Sequence, residues 1–521
     1  MEKRFLMAIG LSLLVLMGYS SLLPKPKDAV NKEAALAPSV EPVVAAQPAG
    51  IPKEIAVVHS PNILDSNNLY TITSEKTDLI FSKTGGYLYE VIDKTHSTPL
   101  TLVFKNIGLV KEWSEFLFTA QELPKGVIFS YRDADGLEIK KTFRIKGGYT
   151  LELTIDIINA TDSKLTGYAI TAGSFDPSDI KDQLSQRYCE SSVIVKEIVN
   201  RKAVYGLKIP LTYEGNVGWA GLRDRYYCTV FLPQLHVNKA VIEISNKVYS
   251  SVLTVPMRPL SSSSFPIEDQ YKIYIGPQDG HLLSSFDKST EQIINFGTFD
   301  FISKILLLLL SSAYKIAGNW GWAIILVTIL VYVIMFPLSL KSMLSMKKMQ
   351  ALQPKIEEMR SKHKDNPQKL NLEIMELYKR EKVNPFGGCL PMLLQIPVFF
   401  ALYQLLMRLI SLKGAHFLWI KDLSSPDRLF VLSNPLPVVG NELNLLPLLM
   451  AGGMFVQQKF TTPSMDRSSS AAEQQKIMGV LMPVIFGALF YKMPSGLVLY
   501  WFVNNLLMLA FQWKISAKKS I

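Results

Sequence analysis

The sequence predicts a multi-span α-helical membrane protein that carries a large all-β domain outside the membrane. Long apolar runs follow residue 319, whereas residues 61–285 alternate apolar and polar side chains with the period of a β-strand. Between two of the apolar runs, residues 339–385 hold eleven Lys and Arg against six Asp and Glu. Short loops this basic stay in the cytoplasm, so this segment predicts the orientation of the spans around it.

The composition supports two parts of different character. Of the 521 residues, 48% are apolar although 19% are charged, which is typical of a membrane region joined to a soluble one. The net charge of +11 has two explanations. Cytoplasmic loops explain most of it, and nucleic-acid binding is the weaker alternative, since neither zinc-ligand spacing nor an aromatic-interleaved basic groove accompanies the charge.

The N-terminus predicts a membrane anchor. Lys3 and Arg4 precede an apolar run at 5–23 that is long enough to span, either as a cleaved signal peptide or as a retained anchor. An uncleaved anchor at 1–23 with a cytoplasmic amino end is favoured, because the nearest small-residue cleavage site lies far beyond the run. Residues 24–60, rich in Pro, Ala and Val, predict a flexible linker.

Residues 61–285 predict a large antiparallel β-sandwich. In residues 151–157 Leu and Ile alternate with Glu, Thr and Asp, as in a half-buried strand, and the pairs Gly85-Gly86 and Gly147-Gly148 predict tight turns. No cluster of His, Asp and Glu suggests catalysis, so a binding or scaffolding role is expected. Three cysteines are too few for a disulfide framework, and the sequence leaves open whether Cys189 and Cys228 pair.

Residues 286–318 contain an ambiguous apolar helix at 299–317. It is able either to span the membrane or to lie in its interface. With the anchor passing outward, one further span must precede the basic segment, and 320–338 is the better candidate because it is uncharged. The helix at 299–317 is therefore expected to lie flat on the outer face.

Residues 319–515 predict a core of five spans, making six with the anchor, with a cytoplasmic tail at 516–521. The apolar runs lie at 320–338, 389–407, 443–456, 477–490 and 497–511. The last three runs hold only 14, 14 and 15 residues, well short of the roughly 20 residues that cross a normal bilayer. Local thinning of the bilayer and extension of the spans by snorkelling polar side chains explain this equally well.

The segment 339–385 predicts a helical hairpin with a break near 364–367. Its methionines are either adaptable contacts for clients or packing between the two arms, and packing is slightly favoured. The residues expected to make contacts at the cytoplasmic face are Met343, Met346, Lys347, Lys348, Met349 and Arg360.

Several long motifs resemble the YidC family of bacterial membrane protein insertases. They read KMQALQPKIEEMR, KVNPFGGCLPMLLQIPVFFALYQLLM, FLWIKDLSSPD and MPSGLVLYWFVNNL. The likeness covers about 299–515, and the β-region is similar in position and size to the family's periplasmic domain. The resemblance implies a five-helix core around a polar groove that is open to cytoplasm and lipid. It also implies inner-membrane localisation, with residues 24–318 periplasmic and both termini cytoplasmic.

The resemblance further implies which residues line the groove. Thr328 and Trp501 fall on family positions, and Tyr332 stands where the family usually places an arginine. The expected groove residues are Thr328, Tyr332, Gln395, Tyr500, Trp501 and Asn504. Bonding between helices is the alternative for each of them. Gln395 and Gln404 lie on opposite helix faces, so at most one is expected in the groove.

The expected function is insertion and folding of nascent membrane proteins, alone or with the Sec translocon. Ribosomes or targeting factors are the expected cytoplasmic partners, and the lipid bilayer is a partner throughout. Neither an enzymatic reaction nor a metal or other cofactor is expected. A transporter would require internal repeats or paired broken helices, and a carbohydrate enzyme would require convergent carboxylates or histidines. The sequence offers neither.

Overall fold

The computed structural model describes residues 68–517 with gaps at 96–98, 135, 159–166, 181–182, 257–266, 364–365, 382, 384–389, 437–439 and 462–469. The predicted anchor at 1–23, the linker at 24–60 and Cys389 lie outside the described residues, as do positions 518–521 of the tail.

Seventeen of the described strands build the β-region. They are β1 Leu69–Thr73, β2 Thr77–Ser82, β3 Tyr87–Asp93, β4 Leu100–Thr101, β5 Thr119–Leu123, β6 Gly126–Arg132, β7 Glu138–Gly147, β8 Thr150–Ile158, β9 Gly167–Phe175, β10 Glu190–Val195, β11 Ile198–Ala203, β12 Leu211–Glu214, β13 Val217–Arg223, β14 Tyr227–Pro233, β15 Lys239–Ser245, β16 Val248–Pro256 and β17 Ile267–Pro277. Their antiparallel sheets have the orders β1-β2-β3-β4, β11-β10-β13-β14-β17-β8-β7-β6-β5 and β12-β15-β16-β9. This confirms the predicted large all-β sandwich.

The alternating pattern and the glycine turns explain how the sandwich forms. Leu151, Leu153, Ile155 and Ile157 of β8 are all buried in a core shared by the three sheets. The turn at 147–148 connects β7 to β8, and both of its glycines have positive φ, at 128° and 56°. Glycine is favoured there because a Cβ atom would be strained.

Two cysteines and one lysine are buried inside this region. Cys189 and Cys228 are free thiols, which answers the open question of their pairing. Burial raises the pKa of both thiols, so they are poorly reactive. Lys141 donates to the carbonyl oxygens of Gly85 and Gly108 at 3.0 and 2.8 Å, and burial lowers the pKa of its amine to about 7.

Helices dominate the remainder of the chain. They are α1 Gln183–Gln186 within the sandwich, then α2 Gly280–Phe286, α3 Asp300–Ala317, α4 Trp320–Lys362, α5 Pro367–Arg380, α6 Leu390–Arg408, α7 Leu445–Thr461, α8 Ser470–Phe490 and α9 Ser495–Ala517. A two-stranded ribbon, β18 Phe430–Leu436 and β19 Gly440–Leu443, precedes α7. No strand was predicted in this stretch, which begins between the apolar runs at 389–407 and 443–456.

The predicted boundary at 338–339 is not a helix end. Helix α4 continues without interruption through Pro337 and Pro354 and joins the apolar run to the first arm of the hairpin. Helices α7, α8 and α9 likewise extend beyond their apolar runs, with 17, 21 and 23 residues. These lengths agree with the explanation that polar residues extend the short spans.

Two of the described helical stretches, Trp320–Ser345 and Ser495–Lys514, are long and apolar enough to cross a membrane. Leu445–Gln458 and Gly479–Phe490 are shorter apolar stretches. A helical region after the β-sandwich is thus confirmed, whereas the count of six spans stays a prediction. Helix α3 packs on α6, where the Ser303 hydroxyl donates to the Ala401 carbonyl at 2.9 Å, and its interfacial location also stays a prediction.

Arginines join the β-sandwich to the end of α6. Arg225 donates through Nε to the Met407 carbonyl, and its guanidinium lies 4.8 Å from the centre of the Tyr226 ring. Arg408 donates to the Asn295 carbonyl and lies 4.7 Å from the ring centre of Tyr188. Positive side chains are favourable at a helix C-terminus because its last carbonyls carry partial negative charge. We call the end of the bundle that carries this junction the outer end.

Candidate functional site

Helices α4 and α9 run side by side from the outer end, which allows depths along them to be compared. The rings of Phe336 and Phe511 meet with their centres 4.7 Å apart, and each lies sixteen residues beyond the first residue of its helix. Positions equally distant from the two helix starts therefore lie at similar depth in the bundle.

The two predicted groove residues on α4 differ in their surroundings. Thr328 is buried, and its hydroxyl donates to the Ile324 carbonyl of the same helix at 2.6 Å. Tyr332, one turn further on, has a buried hydroxyl without a hydrogen-bond partner among the described residues. Only Tyr332 thus has an unused polar atom.

Gln395 and Tyr500 are brought together although 105 residues separate them. The Gln395 amide of α6 donates to the Tyr500 hydroxyl of α9 at 2.6 Å. Tyr500 is buried, so this bond links two helices inside the bundle. Gln404, on the opposite face of α6, lies four residues from the outer end of that helix.

Trp501 is at the centre of an aromatic cluster between α6, α8 and α9. Its ring stacks on Phe486 at 5.6 Å and meets Phe399 edge-on at 4.9 Å, with Phe490 at 5.4 Å. The indole nitrogen is buried without an acceptor in the described part of the chain. Asn504 is partly buried, and its neighbour Asn505 is buried with an unpaired amide nitrogen.

The unpaired polar atoms on α4 and α9 all lie on the inner side of Tyr500. Counted from the helix starts at 1.5 Å per residue, Trp501 lies about 9 Å deep, Asn505 about 15 Å, Tyr332 about 18 Å and Gln512 about 25 Å. The buried Gln512 side-chain oxygen also has no partner within the described ranges. The sequence did not predict Asn505 or Gln512, although polar side chains in an apolar span were a usable signal.

Residues 415–427, which we call the closing loop, contact the helix starts at the outer end. A carboxylate oxygen of Asp427 accepts from the backbone amides of Leu445 and Leu446, both at 2.9 Å, and from the Trp419 indole at 3.1 Å. The first amides of a helix have no partner inside it. Asp427 therefore caps α7 and ties the loop to it.

The closing loop also contacts the first residues of α4 and α9. Backbone carbonyls of Ser425 and Leu423 accept from the amides of Ser495 and Gly496, at 2.8 and 2.9 Å. At α4, the Asn319 side chain donates to the His416 carbonyl at 2.9 Å, and Phe417 packs so closely on Gly321 that a Cβ atom there would clash. One loop thus covers the start of three helices.

A second set of polar contacts fixes the turn between α8 and α9. Asn444 donates through its amide group to the Tyr491 carbonyl at 2.8 Å, and its backbone amide donates to the Tyr491 hydroxyl at 3.1 Å. The same hydroxyl donates to the Glu442 carbonyl at 2.8 Å. These contacts hold the starts of α7 and α9 at one level.

The predicted hairpin residues lie at the opposite end, along α4. Met349 and Met359 pack against a small core of Leu352, Ile356, Leu377 and Val383 between the two arms. These two methionines therefore pack between the two arms of the hairpin. Met343 is partly buried, Lys348 and Arg360 are exposed, and Met346 and Lys347 belong to the same helix.

Fold and site together define a bundle of apolar helices, with one loop bonded to several helix starts, that is joined to a β-sandwich. The family model for the 60Kd inner membrane protein matches residues 312–520, and that for the YidC periplasmic domain matches residues 74–309. Membrane protein insertase YidC of Geobacter metallireducens is 32% identical over 97% of this chain and 97% of its own length. That of Pelobacter propionicus is 32% identical over 99% of both.

The chain therefore belongs to the YidC family of membrane protein insertases. Among solved structures, an active YidC insertase with its first transmembrane domain resolved aligns with a TM-score of 0.41 and 18% identity, over 86% of this chain and 93% of that chain. The match to the inner-membrane and periplasmic models over adjoining ranges agrees with the two parts of the fold.

Proposed function

We propose that this protein inserts nascent membrane proteins into the inner membrane through the inner half of the α4–α6–α9 bundle. The observation that carries the proposal is the set of unpaired polar atoms beyond Tyr500, beneath an outer end whose helix starts are covered by the closing loop. Membership of the insertase family supports the same function.

Polar backbone groups are costly to place in the hydrocarbon of a bilayer. An unsatisfied backbone polar group inside the bilayer costs several kcal/mol, which opposes passage of a hydrophilic flank. Tyr332, Trp501, Asn505 and Gln512 offer donors and acceptors that water or an incoming flank can use. The closing loop stops the flank partway, and the client's apolar segment then moves sideways into lipid.

This groove works without a buried positive charge. Tyr332 stands at the position that the resemblance assigns to an arginine, so attraction of acidic flanks is replaced by hydrogen bonding and hydration. A buried arginine costs about 2.5–3.5 kcal/mol on insertion scales, and its absence removes that penalty. We expect Tyr332→Phe to weaken insertion modestly, and Tyr332→Arg to be tolerated with a preference for acidic flanks.

The proposed orientation places the sandwich in the periplasm and the α4–α5 hairpin in the cytoplasm. The excess of Lys and Arg in 339–385 favours this orientation and suits salt-sensitive contact with ribosomal RNA or targeting factors. Chaperone activity and cooperation with the Sec translocon belong to the same proposal. Deletion of 350–380 is expected to impair insertion while the bundle remains folded.

The test uses the purified full chain in vesicles and a small single-span client. Protease protection of the client's hydrophilic flank measures insertion. We expect Asn505→Leu combined with Gln512→Leu to reduce insertion about thirtyfold, because each change removes a polar partner worth roughly 1 kcal/mol. Gln404→Leu is the matched control, since it removes another buried unpaired amide oxygen but at the outer end. Equal insertion by the double variant and the unchanged protein contradicts the proposed groove.

A further inference from the structure

The ribbon β18–β19 exposes apolar side chains on both of its faces. Phe430 is 59% exposed and Val431 is 71% exposed. Adjacent residues of a strand point to opposite sides, so neither face of the ribbon is polar at this level. The two strands pair only with each other among the described strands. A lone two-stranded ribbon is marginally stable in water, so a covering environment is required.

The position of the ribbon indicates what covers it. Strand β19 ends at Leu443 and α7 begins at Leu445, so a single residue separates the ribbon from an apolar helix. The base is held by the ion pair between Arg428 and Glu442, at 2.8 Å. Leu448 and Leu449 in the first turns of α7 are exposed as well, so both the ribbon and the helix that follows it expose apolar side chains.

Two further residues extend this apolar surface around the outer end. Leu418 is 72% exposed and has a φ of 51°, a conformation that is strained for a leucine. The adjacent Phe417 meets the exposed ring of Trp322 edge-on at 5.6 Å. Leucine and tryptophan at the level of a helix start are typical of a membrane interface, where an apolar body contacts acyl chains.

We propose that the ribbon inserts into the interfacial region of the membrane. Phe430 and Val431 lie among the glycerol and upper acyl groups of the phospholipids in the leaflet where α7 begins. The ribbon thereby fixes the depth of the start of α7 and of the closing loop that is bonded to it. The inference rests on α7 as a membrane span, which is part of the proposed function, but it does not rest on insertion activity.

The test is a fluorescence depth measurement on the full chain in vesicles of phosphatidylethanolamine and phosphatidylglycerol. Val431→Cys carries an environment-sensitive fluorophore, in a background with Cys389→Ser. Cys189 and Cys228 are buried, and the background without a new cysteine shows their residual labelling. Leu117→Cys is the matched control, because Leu117 is 61% exposed and precedes β5, at the edge of the large sheet opposite to β11.

We expect the probe at 431 to emit at shorter wavelength than the probe at 117. Lipids that carry a quencher near the glycerol should quench it at least about twofold more strongly, as for a side chain in the interface. A further Phe430→Asp change should reduce this difference. Equal emission and quenching at 431 and 117 overturns the proposal. A blue-shifted probe that lipid quenchers do not reach also overturns it, since protein then covers the ribbon.

Activity separates this result from the proposed function. Insertion of the test client by the same labelled protein shows whether the bundle works. Lipid quenching at 431 without insertion of the client refutes only the insertase proposal. Insertion of the client without lipid quenching at 431 refutes only the proposal that the ribbon lies in the membrane interface.

Discussion

Helices α4 and α9 differ between their starts and their inner halves, because their described buried side-chain atoms without partners lie only in the inner halves. On other elements at the outer end, Gln404, Arg408 and one oxygen of Asp427 are also unpaired. At the outer end, the first amides of α7 and α9 donate to the closing loop, and Asp427 alone accepts three hydrogen bonds. From Trp501 inward, Asn505, Tyr332 and Gln512 hold polar atoms without partners in the part of the chain that the structure describes. The helix starts at the outer end are therefore held by backbone hydrogen bonds, and the inner halves of α4 and α9 keep hydrogen-bonding capacity in reserve.

This difference shows how a half-channel is made from ordinary helices. Paired polar groups at one end fix the spacing of the helices there. Unpaired groups further along lower the cost of bringing water or polar peptide into the bundle. Substitutions at the two ends should consequently have opposite effects on stability and activity.

The largest effect is expected at the outer end. Asp427→Ala leaves two helix amides and the Trp419 indole without an acceptor, which should lower the stability of the bundle by about 3 kcal/mol. Thermal unfolding in detergent, together with hydrogen exchange of the Leu445 and Leu446 amides, measures the loss. Asp427→Asn keeps one oxygen acceptor, so it should lower the stability of the bundle by about half as much. Unchanged exchange at these amides in Asp427→Ala would show that the loop does not cap α7.

In the sandwich, Lys141 is a buried polar group whose hydrogen bonds are satisfied, as are those of the helix starts at the outer end. A neutral Lys141 amine has two N–H groups, matching its two carbonyl acceptors. Its folded pKa of about 7 lies below the ordinary 10.5, so the unfolded state binds more protons between these values. Stability should therefore be highest above pH 10.5, should decrease as the pH falls through 7, and should differ by about 2 kcal/mol between pH 9 and pH 7.

Hydrogen exchange of the β7 amides, corrected for intrinsic exchange, measures this dependence on pH. Lys141→Met should abolish it. Lys140→Met is the control, because Lys140 is partly exposed on the same strand and pairs with Glu138 at 3.0 Å. A pH dependence that survives in Lys141→Met assigns it to another group.

The third prediction concerns the boundary between the two halves. Tyr500→Phe removes the acceptor of the Gln395 amide while the ring and its packing remain, and should lower stability by about 1 kcal/mol. Gln395→Leu should lower the stability by a similar amount. The double variant should be little less stable than either single variant, because both changes remove the same hydrogen bond. Additive losses measured by thermal unfolding would mean that the two side chains do not interact.

The smallest stability effect is expected at the inner half, and its sign is opposite. Asn505→Leu replaces an unpaired buried amide with an apolar group of similar size, so stability should stay equal or rise by up to about 1 kcal/mol. Insertion should nevertheless fall. Parallel measurement of thermal unfolding and client insertion checks both parts, and a marked loss of stability would show that Asn505 has a structural partner.

Much of the fold was predictable because its signals are local. The alternation in 151–157 and the turn at 147–148 are patterns of side-chain period and backbone freedom, and both appear in β7 and β8 as predicted. The helical runs were found for the same reason, although their ends were not. The boundary predicted at 338–339 was wrong, because the change from apolar to charged side chains there does not interrupt the helical backbone of α4.

The candidate site was predictable only in part. Gln395, Tyr500 and Trp501 were predicted as groove residues. No spacing in the sequence reveals that the Gln395 side chain bonds to the Tyr500 hydroxyl. Asn505 and Gln512 were missed because one amide in an apolar run resembles another until its neighbours are known. The strands β18 and β19 were not predicted, because the chain there was considered only as the connection between two apolar runs.

The sequence by itself determined the class of this protein: strands before helices, a basic segment between apolar runs, and motifs long enough to identify the family. Side-chain period, charge and composition carry that information within short stretches of chain. The tertiary structure alone decided which polar groups are paired. Arg225 reaches Met407 across 182 residues, and Asp427 caps a helix that begins eighteen residues later. Hydrogen bonding depends on distances of a few ångströms between distant segments, and only the folded chain sets those distances.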